Sequence, residues 1–155
     1  NASDSTKPPK LKPGCGGFGI RNFLTLFLSI EVSKAMSEGQ AAKLRGDEIE
    51  QAYAEKRVAL FTEQLNESNP ILTEISDCMT AEGRIREQMT LLQDNQGKDN
   101  QMTMDSLREQ MDAYANAKLA ANKKLMECSS KYNILMKELR LEHEEESPQE
   151  EKQLV

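Results

Sequence analysis

Apolar positions recur along much of this chain at alternating intervals of four and three, the period of helices that pack lengthwise against one another. One series runs Ile71, Ile75, Cys78, Glu82, Ile85, Met89 and Leu92. A longer one runs Met104, Leu107, Met111, Tyr114, Lys118, Ala121, Leu125, Cys128, Tyr132, Leu135 and Leu139. Each seam has one charged member, Glu82 and Lys118. Between them DNQGKDNQ, residues 94–101, reads as a loop because Asn, Asp and Gly break the helical pattern. Asn69-Pro70 predicts the start of the first seam's helix, since proline suits a first helical turn. Thr103 is the expected N-cap of the next helix. That helix should reach about Glu144 and fray there, because Glu144, Glu145 and Glu146 oppose the helix dipole. Pro148 follows.

Folding the two seams back on each other sharpens the expectation. With the turn centred on Lys98, residues equidistant from Lys98 face each other: Leu92 and Met104, Met89 and Leu107, Ile85 and Met111, Ile75 and Ala121. Glu82 and Lys118 fall in adjacent layers, within reach of one ion pair. Such a pair adds little stability, because desolvation offsets the attraction, but it can fix register. Any two seams of this period align somewhere; the loop length is the independent constraint, and it permits this register. An antiparallel coiled-coil hairpin over 69–144 is the expected architecture. Its second arm outruns the first, so the stretch from Cys128 to Leu139 needs cover, for which Leu60, Phe61 and Leu65 are the nearest candidates.

The region before the hairpin is patterned differently. Residues 1–17 hold Lys7, Lys10 and Lys12 among Pro8, Pro9, Pro13 and glycines, and read as a flexible basic arm. Residues 18–68 read as an apolar helix and a further helical region, from about Ile20 to Asn66. Within it Ala35, Gly39, Ala42, Gly46, Ile49 and Tyr53 keep the same spacing with small residues. Small residues allow close helix approach, but glycine weakens a helix, so either close packing or a bend is consistent. Residues 145–155 form an acidic tail.

Phe18, Phe23 and Phe27, three of the four phenylalanines, fall within ten residues in and just ahead of the run FLTLFLSIEV. Phe18, Ile20, Phe23, Leu24, Phe27, Leu28 and Ile30 are the candidate partner-binding residues. A helix apolar all round must be covered on all sides. Three coverings are open: the hairpin of the same chain, other subunits, or a membrane surface entered sideways. The run is broken by Arg21, Asn22 and Glu31 and falls short of the ~18 apolar residues of a membrane span.

Composition narrows the class. Of 155 residues 30% are charged, 5% are aromatic and none is Trp, which suits long helices burying one stripe better than a large globular core. The formal charge of −6 argues against nucleic acid as a partner. Cys15, Cys78 and Cys128 form no CxxC pair, and the single His143 cannot complete a Cys/His zinc set. No metal or cofactor is expected. Reduced thiols, two of them in the seams, favour a reducing compartment. That compartment is the cytosol, or the plastid stroma if a targeting peptide was removed before Asn1, and a secreted filament stays open.

Gly14, Gly16 and Gly19 match G-x-G-x-x-G, but KPPKLKP before them cannot form the buried strand that a dinucleotide site requires. Asn66-Glu67-Ser68 fits a glycosylation sequon, a pattern that also arises by chance. The methionines Met79, Met89, Met104, Met111, Met126 and Met136 read as core filler, with partner binding the alternative. His143 lies among glutamates with no nucleophile near it in sequence, so no enzyme is expected. The expectation is an all-α, elongated, non-enzymatic structural or linker subunit of a larger protein assembly. An accessory subunit in peripheral contact with an organellar membrane complex, such as a photosystem, and a helical chaperone or adaptor are alternatives. The layout, an apolar N-terminal helix followed by polar coiled-coil segments, is similar to that of type III secretion filament and translocator proteins. That likeness covers layout alone and implies self-association.

Overall fold

The computed structural model describes residues 16–94 and 99–147, with side chains at 23–94 and 100–147. The chain is all-α. Three helices carry the described residues: α1 Gly16–Leu44, α2 Glu48–Asp94 and α3 Asp99–Glu146. The arm before residue 16, Cys15, the centre of the 94–101 loop and the tail after 147 lie outside the described residues.

The small-residue seam does both of the things its composition allowed. At Gly39 an added Cβ would sit 3.3 Å from the Cβ of Ala54, so α1 and α2 approach closely there. Ala35, Ala42 and Ala54 are buried beside it. Gly46 instead ends α1, with φ of 75°, a backbone region that side chains disfavour. Gly46 N–H donates to the Lys43 carbonyl and Asp47 N–H to the Ala42 carbonyl, at 3.2 and 2.9 Å. This paired return closes the helix end. Asp47 then starts α2, its Oδ1 accepting from Glu50 N–H at 3.1 Å. Glu48 and Glu50 in the first turn suit the positive end of the helix.

The helix boundary expected at Asn69-Pro70 is not there. Helix α2 runs through Pro70 without interruption. Proline removes one backbone donor and disfavours a helix interior by roughly 3 kcal/mol. Ser68, Leu72 and Ile75 on either side are buried, and this packing outweighs the local preference, while Pro70 itself is exposed. Helix α3 starts at Asp99, four residues before Thr103, and reaches Glu146. Ser147 holds its end: N–H and Oγ both donate to the His143 carbonyl, at 2.9 and 3.0 Å.

The contacts group the chain into two compact units. The first comprises 69–125 with the start of α1 up to Phe23; the second comprises 24–68 and 126 onward. In the first, α2 and α3 pair as an antiparallel hairpin. Ile75, Cys78, Glu82 and Ile85 of α2 and Met104, Leu107 and Ala121 of α3 are buried along its seam. Tyr114 is the seam member left exposed, and Leu72 is buried more deeply than Ile71. In the second unit three helical segments share a core of Leu28, Ala35, Ala42, Ala54, Cys128, Tyr132 and Leu139. The extension of α3 beyond residue 125 thus belongs to one compact unit with α1 and with the Leu60–Leu65 stretch, whose apolar members are half-buried. Met104 is buried, whereas Met126 faces solvent.

Cross-helix pairs in both units follow one count. Ser68 and Cys128, and Tyr53 and His143, are equidistant from Lys98 and in contact. Glu82–Lys118, Glu74–Lys124, Glu67–Lys131 and Lys56–Glu142 depart from that count by no more than one helical turn.

Candidate interaction surface

Helix α1 presents two unlike sides. Leu28 is 1% exposed and belongs to the core of the second unit, with Leu24 half-buried beside it. Leu26 at 61%, and Phe27 and Ile30 at 48% each, stand on the side turned away from that core, and Phe23 of the first unit is 73% exposed. Three exposed large apolar side chains within five residues of the second unit form a patch of the kind that marks an interaction site. Of the candidate residues, then, Phe23, Phe27 and Ile30 are exposed, Leu24 is partly engaged and Leu28 is wholly engaged within the chain. Leu28 is therefore core, because the helix needs one inward stripe of its own. The side chains of Phe18 and Ile20 lie outside the described residues.

Further along α1 the exposed side borders an open groove of about 680 Å³ between α1 and α2, lined among others by Met36, Gly39, Leu44, Glu55 and Val58. Ala35 and Gly39, which carry little side chain, are also among its lining residues, as are the charged Lys43 and Glu55.

Glu82 and Lys118 meet at 2.6 Å. Glu82 is buried while Lys118 keeps part of its stem in water. The carboxylate loses hydration that its single partner only partly restores, so the pair contributes specificity of register more than stability.

A second cluster was not legible as one. His143 stacks on Tyr53 with ring centroids 3.9 Å apart and planes 1° from parallel, and its Nε2 donates to Glu50 Oε1 at 2.9 Å. Arg57 lies over the other member of the stack, Tyr53, at 4.7 Å and forms an ion pair with Glu38 of α1. The chain of contacts therefore ties α1, α2 and α3 in the second unit. Among the described residues His143 Nδ1 and Arg57 Nε are buried with no hydrogen-bond partner. None of these side chains is a Ser or Cys nucleophile, and the arrangement reads as a clasp. The signal was present in the counting rule: Tyr53 and His143 are equidistant from Lys98, but a helix thought to begin at Pro70 does not extend the count to Tyr53.

Nearby, Lys131 Nζ donates to both Glu67 oxygens, at 2.6 and 2.8 Å. Hydrogen bonds from Lys131 and Tyr132 hold the Glu67 carboxyl below its usual range, and the same bond pushes the Tyr132 hydroxyl up. Cys78 and Cys128 are free and buried, and burial pushes the Cys78 thiol up. Ser68, the third residue of the Asn66 sequon, is fully buried with its Oγ 3.6 Å from Cys128 Sγ. Among the described residues no three His, Cys, Asp or Glu side chains converge as a metal site, and no helix is long and apolar enough to cross a membrane. Comparison with protein-family models, with curated proteins and with solved structures finds no match to this chain.

Proposed function

We propose that the chain is a non-enzymatic structural or linker subunit that docks into a larger protein assembly through the outer side of α1, with the α2–α3 hairpin as its frame. The observation that supports this is the exposed patch of Leu26, Phe27 and Ile30, held on a helix whose opposite side is fixed by Leu28. Covering such a patch with protein releases water from apolar surface at about 25 cal/mol per Å². Replacing Phe23, Phe27 and Ile30 together by Ser tests the reading. The variant should keep its helical circular dichroism and thermal midpoint, because the three side chains lie outside the core. Its affinity for the assembly recovered with the untagged chain from its native source should fall by roughly 100-fold or more. Unchanged recovery of the partner set by the folded variant would show that α1 is not the docking element.

A further inference from the structure

Resting on that reading, we infer that the occupant of α1's outer side is a single amphipathic helix of another protein, with a carboxylate in its apolar seam opposite Lys34. Within the second unit the outer side of α1 is itself a seam. Phe27, Ile30, Lys34, Ser37, Ala41 and Leu44 follow at intervals of three, four, three, four and three, and all are exposed. That spacing gives a straight stripe along a helix, the surface onto which another helix packs lengthwise. Ser37, Ala41 and Leu44 also line the groove between α1 and α2, whose far wall includes Val58. A helix laid along the stripe is thereby cradled by two helices over its second half, and the small side chains of Ser37 and Ala41 let it approach closely.

Lys34 decides the charge of the occupant. It stands in the middle of the stripe, and among the described residues its ion-pair partner is Glu31 of the same helix at 3.5 Å. Covering the stripe desolvates the ammonium group, which disfavours binding unless the occupant supplies a carboxylate. The hairpin shows the same problem solved inside this chain: Lys118, a seam lysine, meets the buried Glu82 at 2.6 Å. A second copy that pairs α1 with α1 does not supply a further carboxylate. In a parallel pairing of two α1 stripes, Lys34 faces Lys34. In an antiparallel pairing that overlaps Phe27–Leu44, the two lysines occupy adjacent layers. Both arrangements bring like charges together in a drying interface, so the stripe selects against itself.

The test uses the full chain and two synthetic amphipathic peptides of about three heptads with leucine seams. One carries Glu at the central seam position and the other Lys. By fluorescence anisotropy the chain should bind the Glu peptide about 10-fold more tightly than the Lys peptide, and Lys34→Glu should invert the preference. Phe27→Ser with Ile30→Ser should abolish binding of both. A preference that is absent, or unmoved by Lys34→Glu, overturns the inference. Concentration-dependent dimers in sedimentation equilibrium that disappear in the Phe27→Ser, Ile30→Ser variant would assign the stripe to a second copy instead. Flotation with anionic phospholipid vesicles lost in that variant would assign it to lipid. If that variant still recovers the native partner set, the docking reading itself fails. If recovery depends on Phe27 and Ile30 but the peptides show no charge preference, the acidic-helix inference alone fails.

Discussion

The hairpin over 69–125 and the three-segment core of 24–68 with 126–147 bury their helices by different means. In the hairpin, α2 and α3 meet through medium and large apolar side chains such as Ile75, Ile85, Met104 and Leu107, with one charged layer between. In the other unit the contact positions of α1 and α2 are Ala35, Gly39, Ala42 and Ala54, and the larger groups come mainly from α3. The difference follows from how many neighbours a helix must meet. A helix with one partner can fill a wide seam, whereas a helix with two gains from small contact residues that shorten one of the distances. The three-segment unit also uses polar fastening, through the Glu38–Arg57–Tyr53–His143–Glu50 chain, where the hairpin has the simple ion pairs Glu82–Lys118 and Glu74–Lys124.

The largest test of that contrast is Leu28→Ala. Leu28 is one of few large side chains fully buried in the three-segment unit, so its loss should cost about 2–5 kcal/mol. Hydrogen exchange should report it as faster opening of 24–44 and 126–147 before the hairpin amides respond. Uniform acceleration through both units would mean that they unfold as one.

Next in size is the charged layer. Lys118→Met leaves Glu82 buried without a counter-charge and should destabilise by about 2–3 kcal/mol in urea denaturation. Replacing both residues by Leu should restore wild-type stability or exceed it. If the double replacement instead remains as unstable as the single one, the pair is a true stabiliser of the hairpin.

Two glycines should respond in opposite senses. Gly46→Ala forces a side chain into left-handed backbone and should cost about 1–2 kcal/mol. Gly83→Ala, at a position in α2 with nothing within 4 Å of the added methyl, should stabilise by about 0.5–1 kcal/mol. Thermal midpoints that moved in the same direction would contradict the turn geometry. The smallest effect concerns pH. Glu67 has a folded-state carboxyl held below its usual range, so its stabilising contribution is present above the unfolded value and is lost as pH falls through the folded one. Glu67→Gln should reduce stability slightly at pH 7, and the difference from wild type should shrink as pH falls, in paired urea titrations at pH 7 and under acid.

The helical class, the hairpin and the equidistance rule about Lys98 follow from period and loop length, because two long seams joined by a short loop admit few registers. Pro70 concealed the rest. Local propensity ends a helix there, and only the burial of Ser68 and Leu72, which is a tertiary fact, carries α2 through. Once α2 is continuous, the count that pairs Ile75 with Ala121 also pairs Tyr53 with His143. The two-sidedness of α1 was hidden for another reason. Between Phe23 and Ile30 the sequence is apolar all round, so hydropathy alone cannot say that Leu28 points inward and Phe27 outward. Gly39 and Gly46 looked alike in sequence, yet one meets Ala54 inside the helix and the other takes up a positive φ at its end.

The shared count from Lys98 makes chain length a specified quantity. Removing one residue from the middle of α2 turns every side chain beyond it by about 100°, so its buried positions would face solvent. Adding one or two residues in the connection between α2 and α3 would leave both helices' faces intact, at an entropic cost well under 1 kcal/mol. Within the helices, the natural unit of change is a whole heptad taken from α2 together with one from α3. Such paired changes would shorten or lengthen the hairpin while leaving Glu82 and Lys118 able to meet. Relatives of this chain should therefore vary in length by matched sevens, or at the connection, and hardly anywhere else.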